Sequence, residues 1–555
     1  MKFGSVDMFM DLSNWGYRMG RPVANEGFLK ALLTYGSYDE YEFFCPDSFH
    51  MDYFLKRISR IIDDPQNIKR VKPSLQIALS ESIRTEKYQI FHMGDFTYFM
   101  PYLIGMRNRL AENPFPITGI THSLDALYMN LRYLELVYAC PASFDGIICT
   151  SQAAKQSVEK GLNRLFKRVN EVTRKTLDLP VRFKKIPLGI DDDLFNQTDK
   201  ADARRYFHIP DHAVVALSVG RLSLRQKCDW SPVFELLSRM YKNENIENLL
   251  LLFAGGADES DVSLLEALIS RYCLEEKVLL LPNFSADIKT RLYKAADFYI
   301  SVVDNFQETF GLNIIEAMAS GLPVIASDFS GYRESVVNNK NGFLISTRWL
   351  SELPEFLNEN LAVLDPSLTK LYLSQTVALD LDQLHRAIKT LYQEDMLRKS
   401  MGFQSIIMAK QYRWENIIHS YEDFWASLAE EASSSKYGAL KTNLDILEGE
   451  ILNTFSHYPS YILSENDEFS ITRVGQDVLD NKIALTKYQD VSVCFFDELE
   501  HLILNLLLTG NLSLESIKDY AAEKLEATRG QTLFHLGWLL KHGAIRVSKA
   551  HGVKI

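Results

Sequence analysis

Long apolar runs are missing from this chain of 555 residues. The longest, such as Leu249–Gly255 and Leu502–Leu508, fall far short of the roughly 20 residues that a membrane-spanning helix needs. Excess positive charge is missing too. The net charge is −12, whereas a chain that grips nucleic acid by its phosphates carries a basic footprint. Cysteine is sparse: there are six, with no Cys-x-x-Cys and no spacing suited to a metal. That excludes a disulfide framework and leads us to expect reduced thiols, used as small buried apolar groups, in a cytoplasmic protein. The N-terminus has Asp7 and Asp11 where a secretory leader needs its apolar region, so no signal peptide is expected. What is present, 46% apolar and 24% charged residues, is the balance of a globular protein, at a length that implies about two to four domains.

Short apolar runs alternate with helix-length segments along most of the chain. Lys2–Met10, Tyr41–Cys45, Tyr88–His92, Ile117–Thr121, Gly146–Cys149 and Phe183–Ile186 read as strands, with a helix near Val23–Leu33. After Pro187-Leu188-Gly189-Ile190-Asp191 the same grammar restarts with Val214–Val219, Leu249–Phe253, Val278–Leu281, Phe298–Ser301 and Val324–Ser327. Buried strands separated by helices imply parallel sheets covered on both faces. Two doubly wound domains facing a cleft are therefore expected, with ligands at the carboxyl ends of the strands. Leu344–Val377 shows no clear strand and reads as an insertion, and Ser433-Ser434-Ser435 as a linker.

The richest stretch runs from Asp304 to Ser330. Glu308 and Glu316 bracket Phe310-Gly311-Leu312, and an amphipathic run then closes at Gly321 before the apolar strand Val324–Ser327. We read a loop that turns into a helix. Gly311 lets the backbone approach a ligand, and the N–H groups that open the helix face an anion. Such a layout suits a sugar nucleotide, although two glutamates at this spacing are by themselves more often the mark of a solvated helix face. Arg221 and Lys227 lie in a loop at a strand end, where fixed cations can neutralise a departing diphosphate. They also fit two surface cations. His122, just after Ile117–Thr121, falls at a ligand-facing strand end, or serves as a structural hydrogen bonder.

In order along the chain, Thr121-His122, the run Phe144–Ser151, Ile186–Asp191, Val219-Gly220-Arg221-Leu222 with Lys227, Glu308–Leu312, Glu316–Ala326 and Arg413-Trp414-Glu415 together resemble the retaining glycosyltransferases of family 4, which have the GT-B fold. The resemblance covers about residues 1–430 and is strongest between 186 and 345. It implies an acceptor-side domain at 1–190, a nucleotide-sugar domain at 191–405 and crossover helices at 406–432. It also implies that Arg221 and Lys227 hold the donor diphosphate. The backbone of Gly220 and of Phe310, Gly311 and Leu312 would cradle it, Glu308 would bind sugar hydroxyls, Glu316 the ribose, and His122 the sugar near the reacting carbon. A hexosyltransferase needing no metal and no other cofactor is implied, with a UDP-sugar ahead of a GDP-sugar as donor. The acceptor would be a glycan, a lipid-linked sugar or a protein. An inactive scaffold or sugar-nucleotide sensor of the same fold is the alternative.

This chain departs from the family pattern in three places. The glycine pair after the first strand is replaced by Trp15-Gly16 to Met19-Gly20, so Gly16 must serve as a donor contact. Cys228 follows Lys227 where a glycine is usual. Asp191-Asp192-Asp193 looks like a metal-binding Asp-x-Asp but sits at the hinge.

Two regions stand apart. Residues 155–185 are rich in Lys and Arg, with Leu162, Leu165, Phe166 and Val169 at helical spacing. They form either a surface helix that meets anionic lipid or a solvated helix packed by one apolar stripe. Residues 436–555 resemble a winged-helix module, with Ile446–Asp480 read as a degenerate first copy. Acids outnumber bases there, which opposes DNA binding and favours a protein partner.

Overall fold

The computed structural model describes the chain apart from residues 11–19, 125–128, 174–178, 196–198, 245, 286–287, 436–449, 552 and 555. Gly16 and the rest of the Trp15–Met19 stretch lie outside the described residues.

The first sheet has seven strands: β1 (Lys2–Ser5), β2 (Glu40–Cys45), β3 (Val71–Leu75), β4 (Ile90–Met93), β5 (Ile117–Ile120), β6 (Gly146–Cys149) and β7 (Arg182–Lys185). Their order is β3-β2-β1-β4-β5-β6-β7, and every pairing is parallel. The second sheet comprises β8 (Val214–Val219), β9 (Leu249–Gly255), β10 (Val278–Pro282), β11 (Phe298–Ser301), β12 (Val324–Ser327) and β13 (Gly342–Ile345). Its order, β10-β9-β8-β11-β12-β13, is again all parallel. Each sheet lies between two apolar layers, which is why strands such as β4, β5, β6, β11 and β12 are buried at every residue and show no alternation.

Two strands escape the apolar-run reading. β3 contains Lys72 and Pro73 and is nowhere fully buried, as suits an edge strand. β13 closes the other edge with a half-buried Phe-Leu pair. The segment read as an insertion without strands also needs correcting. β14 (Thr347–Trp349) pairs antiparallel with β15 (Val377–Leu379), around the helices Glu355–Asn360 and Pro366–Ser374. Strands of three residues carry too little pattern to be seen in sequence.

In both sheets the strand order reverses beside the first strand, between β1 and β4 and between β8 and β11. Crevices open at the carboxyl ends of strands at such points. The helix Trp414–Ser434 returns to the first sheet. Trp425, fully buried, meets Phe3 with ring centroids 5.7 Å apart, and its Nε1 donates to Thr118 Oγ1 at 3.1 Å. A second tie crosses between the sheets. Glu334, in the short helix after β12, accepts from the backbone N–H groups of Gln152 and Ala153 at 2.6 and 3.2 Å. It thereby caps the 22-residue helix Gln152–Thr173 of the first half.

That long helix is the basic segment. Leu162 and Leu165 are buried, and Phe166 and Val169 pack against the same apolar layer. Its apolar stripe thus faces the protein, and Lys160, Arg164, Lys167 and Arg168 are among its exposed residues. Among the described residues, no helix is long and apolar enough to cross a membrane. Cys45, Cys149 and Cys228 are buried as expected, but Cys140 and Cys273 are exposed at turns where both have positive φ.

Glu448–Ile555 forms a separate compact unit. Its central strand β16 (Glu468–Ile471) lies between β17 (Leu512–Ser513) and β18 (Ile545–Lys549). Helices Asp497–Leu508, Leu514–Leu525 and Arg529–Lys541 pack on it around one core that holds Phe469, Leu504 and Leu536. The Phe469–Ile471 stretch is therefore part of the central strand of this three-stranded sheet, and Thr472 caps the helix that follows.

Candidate functional site

A cleft of about 800 Å³ opens where the carboxyl ends of the two sheets meet. It is lined from the first half by Arg21, Tyr98, Thr121 and His122, and from the second by Gly220, Arg221, Lys227, Glu308, Phe310, Gly311 and Leu312. Most of the residues singled out in sequence therefore converge.

Gly311 organises the second half. Its φ of 94° and ψ of 56° place it in the left-handed region as the N-cap of the helix Leu312–Ala319, and only glycine adopts that conformation without strain. A Cβ added there would stand 2.3 Å from the Tyr332 ring. Tyr332 is itself fixed by a 2.9 Å hydrogen bond shared with Ser301 Oγ. The N–H groups that open the helix are thereby turned toward the cleft wall. Across from them the loop after β8 is pinned by Gly220 N–H donating to Ala254 O at 3.0 Å. Gly255 passes so close that a Cβ would overlap Gly220 O.

Glu308 and Lys227 face each other here as an ion pair. Burial alone would push the Glu308 carboxyl up. The Lys227 ammonium and the N–H groups of Phe310 and Gly311 outweigh it and hold the group below its ordinary range. The Phe310 N–H donates to Glu308 at 3.2 Å. Arg221 donates to the side-chain oxygens of Gln226 and Gln307. Asn313, one residue past the helix start, donates to Val219 O at 2.7 Å and also lines the cleft.

Glu316 lies outside the described residues that line the cleft. It is buried in the second helical turn, accepts from the Tyr293 hydroxyl at 2.8 Å and is ion-paired with Lys289. Lys289 is the partner that reaches the cleft lining.

His122 is half-buried. Its Nε2 donates to Gly94 O at 2.7 Å and lies 3.1 Å from Asn25 Oδ1, which leaves Nδ1 as the acceptor of the neutral ring. Burial drives its pKa down to about 4, so the ring carries no charge near neutrality. Its backbone carbonyl accepts from Thr309 Oγ1 at 3.0 Å, and Ser151 Oγ donates to Thr309 O at 2.6 Å. The donor-side loop is thus bonded twice to the first half.

Arg21, Lys289, Asn313 and Lys370 were not singled out in sequence. Arg21 follows the Gly16–Gly20 stretch directly and was open to discovery by its position. Lys289 and Lys370 lie on helices with no local signature. Together with Arg221 and Lys227, these residues place five cations around one carboxylate, Glu308, among the described lining residues. In a chain of net charge −12, that concentration focuses a positive potential on the cleft. Among the described residues, no group of three or more His, Cys, Asp or Glu side chains is arranged to hold a metal ion.

Residues 199–359 match the model of the family described as glycosyl transferases group 1. That stretch is similar to the group 1 glycosyl transferases. The D-inositol 3-phosphate glycosyltransferase of Mycobacteroides abscessus is 30% identical over 185 residues, 32% of this chain and 40% of that protein. A protein of the same name from Thermobispora bispora is 27% identical over 294 residues, 51% of this chain and 66% of that one. The chain thus spans about two fifths of the length of the first of these relatives. Among solved structures, Alr3699/HepE of Anabaena in complex with UDP has a TM-score of 0.53 at 16% identity, covering 77% of this chain and 99% of that one. Two Rossmann-like domains in this arrangement are the GT-B fold, and the cleft just described is the GT-B cleft.

Proposed function

We propose that the chain is a retaining glycosyltransferase that moves a hexose from a nucleoside-diphosphate sugar to a hydroxyl of an acceptor. The observation that carries this reading is the Lys227–Glu308 pair at the mouth of the Gly311-led helix. It sets a cation for phosphate beside a carboxylate for sugar hydroxyls, in a cleft whose other charged lining residues, among those described, are cations. In the reaction, the acceptor oxygen forms a bond to the anomeric carbon on the face from which the diphosphate leaves. The carbon–oxygen bond to the β-phosphate breaks, and the departing phosphate oxygen takes the acceptor proton. The products are the glycosylated acceptor and the nucleoside diphosphate.

Lys227 and Arg221 stabilise the charge that grows on the leaving group, and positioning supplies the remainder of the rate. Neutral His122 offers an acceptor rather than a charge beside the sugar. The cluster of cations does the work of charge neutralisation with side chains alone, which favours a reaction without metal. A UDP-sugar is the first donor to test, since Alr3699/HepE was solved with UDP and with UDP-glucose. A glycan is the first acceptor, followed by a lipid-linked sugar or a protein. The exposed basic residues of the Gln152–Thr173 helix would serve a lipid carrier at a membrane surface, and the unit beyond residue 448 would dock a protein partner.

A thermal-shift series with UDP, GDP, ADP and their hexose conjugates, without added metal, tests the reading. A ligand at a hundred times its Kd stabilises the folded chain by about 2.7 kcal/mol. A shift for one nucleotide identifies the donor and sets up hydrolysis of its sugar conjugates as the next assay. No shift for any of them, with or without magnesium, removes the transferase reading in favour of a scaffold.

A further inference from the structure

The excursion between β14 and β15 lies outside the six-stranded sheet, and its second helix, Pro366–Ser374, falls beyond residue 359, where the family match ends. Yet it is tied to the cleft at several points. Trp349 packs on Phe306 with ring centroids 5.0 Å apart, in the loop that leads to Glu308. Gln375 Nε2 donates to Asp229 Oδ2 at 3.1 Å. Gln226 Nε2 donates to Ser367 Oγ at 3.2 Å, while the oxygen of the same Gln226 amide accepts from Arg221. A continuous chain of hydrogen bonds therefore runs from Ser367 through Gln226 to the Arg221 guanidinium. Lys370 lies three residues after Ser367, on the same helix face, and lines the cleft with Arg221 and Lys227. The start of this helix is already capped by the Asp365 side chain, which accepts from the Ser367 and Leu368 N–H groups, so the helix end itself is not the feature that faces the cleft.

We propose that the 347–379 excursion is a working wall of the donor site: Lys370 is a further contact to the donor diphosphate, and Ser367, through Gln226, is a positioning residue for Arg221. This rests on the reading of the cleft as a nucleoside-diphosphate site. The anion is assigned to the donor rather than the acceptor because the hydrogen-bond chain ends on Arg221 and because the whole excursion belongs to the second half. Gln226 has one amide with two ends. Fixing its nitrogen on Ser367 turns its oxygen toward Arg221, and a planar guanidinium held this way loses less freedom when it meets a phosphate.

The test measures UDP affinity, and GDP and ADP affinity beside it, for the full-length protein and its variants. Lys370→Ala is expected to weaken the diphosphate that the wild type binds by about tenfold. Lys370→Arg restores the affinity, and neither variant changes the melting temperature without ligand. Ser367→Ala is expected to cost a few-fold in affinity, and nothing further when Gln226→Ala is already present, because both act through one chain. Unchanged affinity in Lys370→Ala overturns the Lys370 contact, including the case in which only the acceptor KM moves. Additive losses for Ser367→Ala and Gln226→Ala overturn the positioning role. If the wild type binds no nucleoside diphosphate at all, the donor-site reading falls first and this inference with it. Affinity retained by the wild type and every variant sinks this inference alone.

Discussion

The two halves of the cleft start from the same strand order and end with different chemistry at their carboxyl edges. The second half presents cations on short loops: Arg221 and Lys227 after β8, Lys289 beside Glu316, and Lys370 on the excursion. Its backbone is held in place by glycines that no other residue can replace. The first half presents a neutral, half-buried histidine, an aromatic ring at Tyr98 and one cation, Arg21, which is paired with Asp95 at 3.1 Å. One edge is built to hold fixed negative charge and the other to shape a less charged partner. This is the division expected if a donor diphosphate and an acceptor hydroxyl meet between them.

The sharpest way to break the comparison is Gly311→Ala. The added methyl meets the Tyr332 ring at 2.3 Å and forces a left-handed backbone on alanine. Strain of this kind is worth on the order of 1–3 kcal/mol, and relieving it must move the helix start. We expect nucleotide affinity to fall more than about a hundredfold, read by calorimetry, while far-UV circular dichroism stays near that of the wild type. Retained affinity would show that this helix start does not hold the donor.

Next in size are the two charged positions of the same half. Lys227→Ala leaves the buried Glu308 carboxylate without its cation, and turnover is expected to drop about tenfold to a hundredfold. Glu316→Ala is expected to weaken nucleotide binding by a similar factor. It also lowers the melting temperature, since the Tyr293 hydroxyl and Lys289 lose a shared acceptor. Wild-type turnover and affinity in both variants would dissolve the distinction between the halves.

The same contrast decides what could be read in advance. The donor half is legible because its function lives in contiguous sequence: the Glu308–Gly311 turn, the Arg221–Lys227 loop and the apolar strands around them all carry local pattern. Buried parallel strands are continuous apolar runs, so both large sheets were visible, apart from the polar edge strand β3 and the short β13. The acceptor half is legible only in outline, because its lining is assembled from residues far apart in sequence. Arg21, Tyr98 and His122 come from three separate elements, and no spacing rule links them. Lys370 was missed for the same reason, as one lysine on a surface-type helix that folds back over the cleft. Glu316 was found by its motif. What the sequence does not show is that a buried tyrosine and a lysine, both remote in sequence, share its carboxylate.

A smaller effect is expected at the tie between the halves. Glu334→Ala removes the acceptor from the start of the Gln152–Thr173 helix and from Lys185, a capping loss of about 1 kcal/mol. Nucleotide affinity should stay within about twofold, because Glu334 is not among the residues that line the cleft. Turnover should fall a few-fold, because Ser151 and His122 would hold the Thr309 loop less firmly. A steady-state assay that separates donor KM from turnover checks this. A donor KM that moves as far as turnover would mean that the halves are not separable in the way their edges suggest.

The last prediction concerns a buried group of the donor half that faces away from the reaction. Asp304 is 5% exposed and accepts from the Asp229 N–H at 3.2 Å. Burial pushes its pKa up to about 7, with the Asp229 carboxylate adding to the rise and the N–H opposing it. The unfolded chain ionises this group near 3.8, so between that pH and about 7 the folded form binds more protons. Its contribution to stability is therefore fully present below the lower value and is lost as pH rises through the upper one. An asparagine in its place would keep an oxygen for the Asp229 N–H and carry no charge. Relative to the wild type, Asp304→Asn should thus gain about 2 kcal/mol of stability between pH 5 and pH 8, with activity unchanged at both. Thermal unfolding of the two proteins at the two pH values reads the difference directly, and a gap that does not widen toward pH 8 would place the charge of Asp304 in contact with water after all.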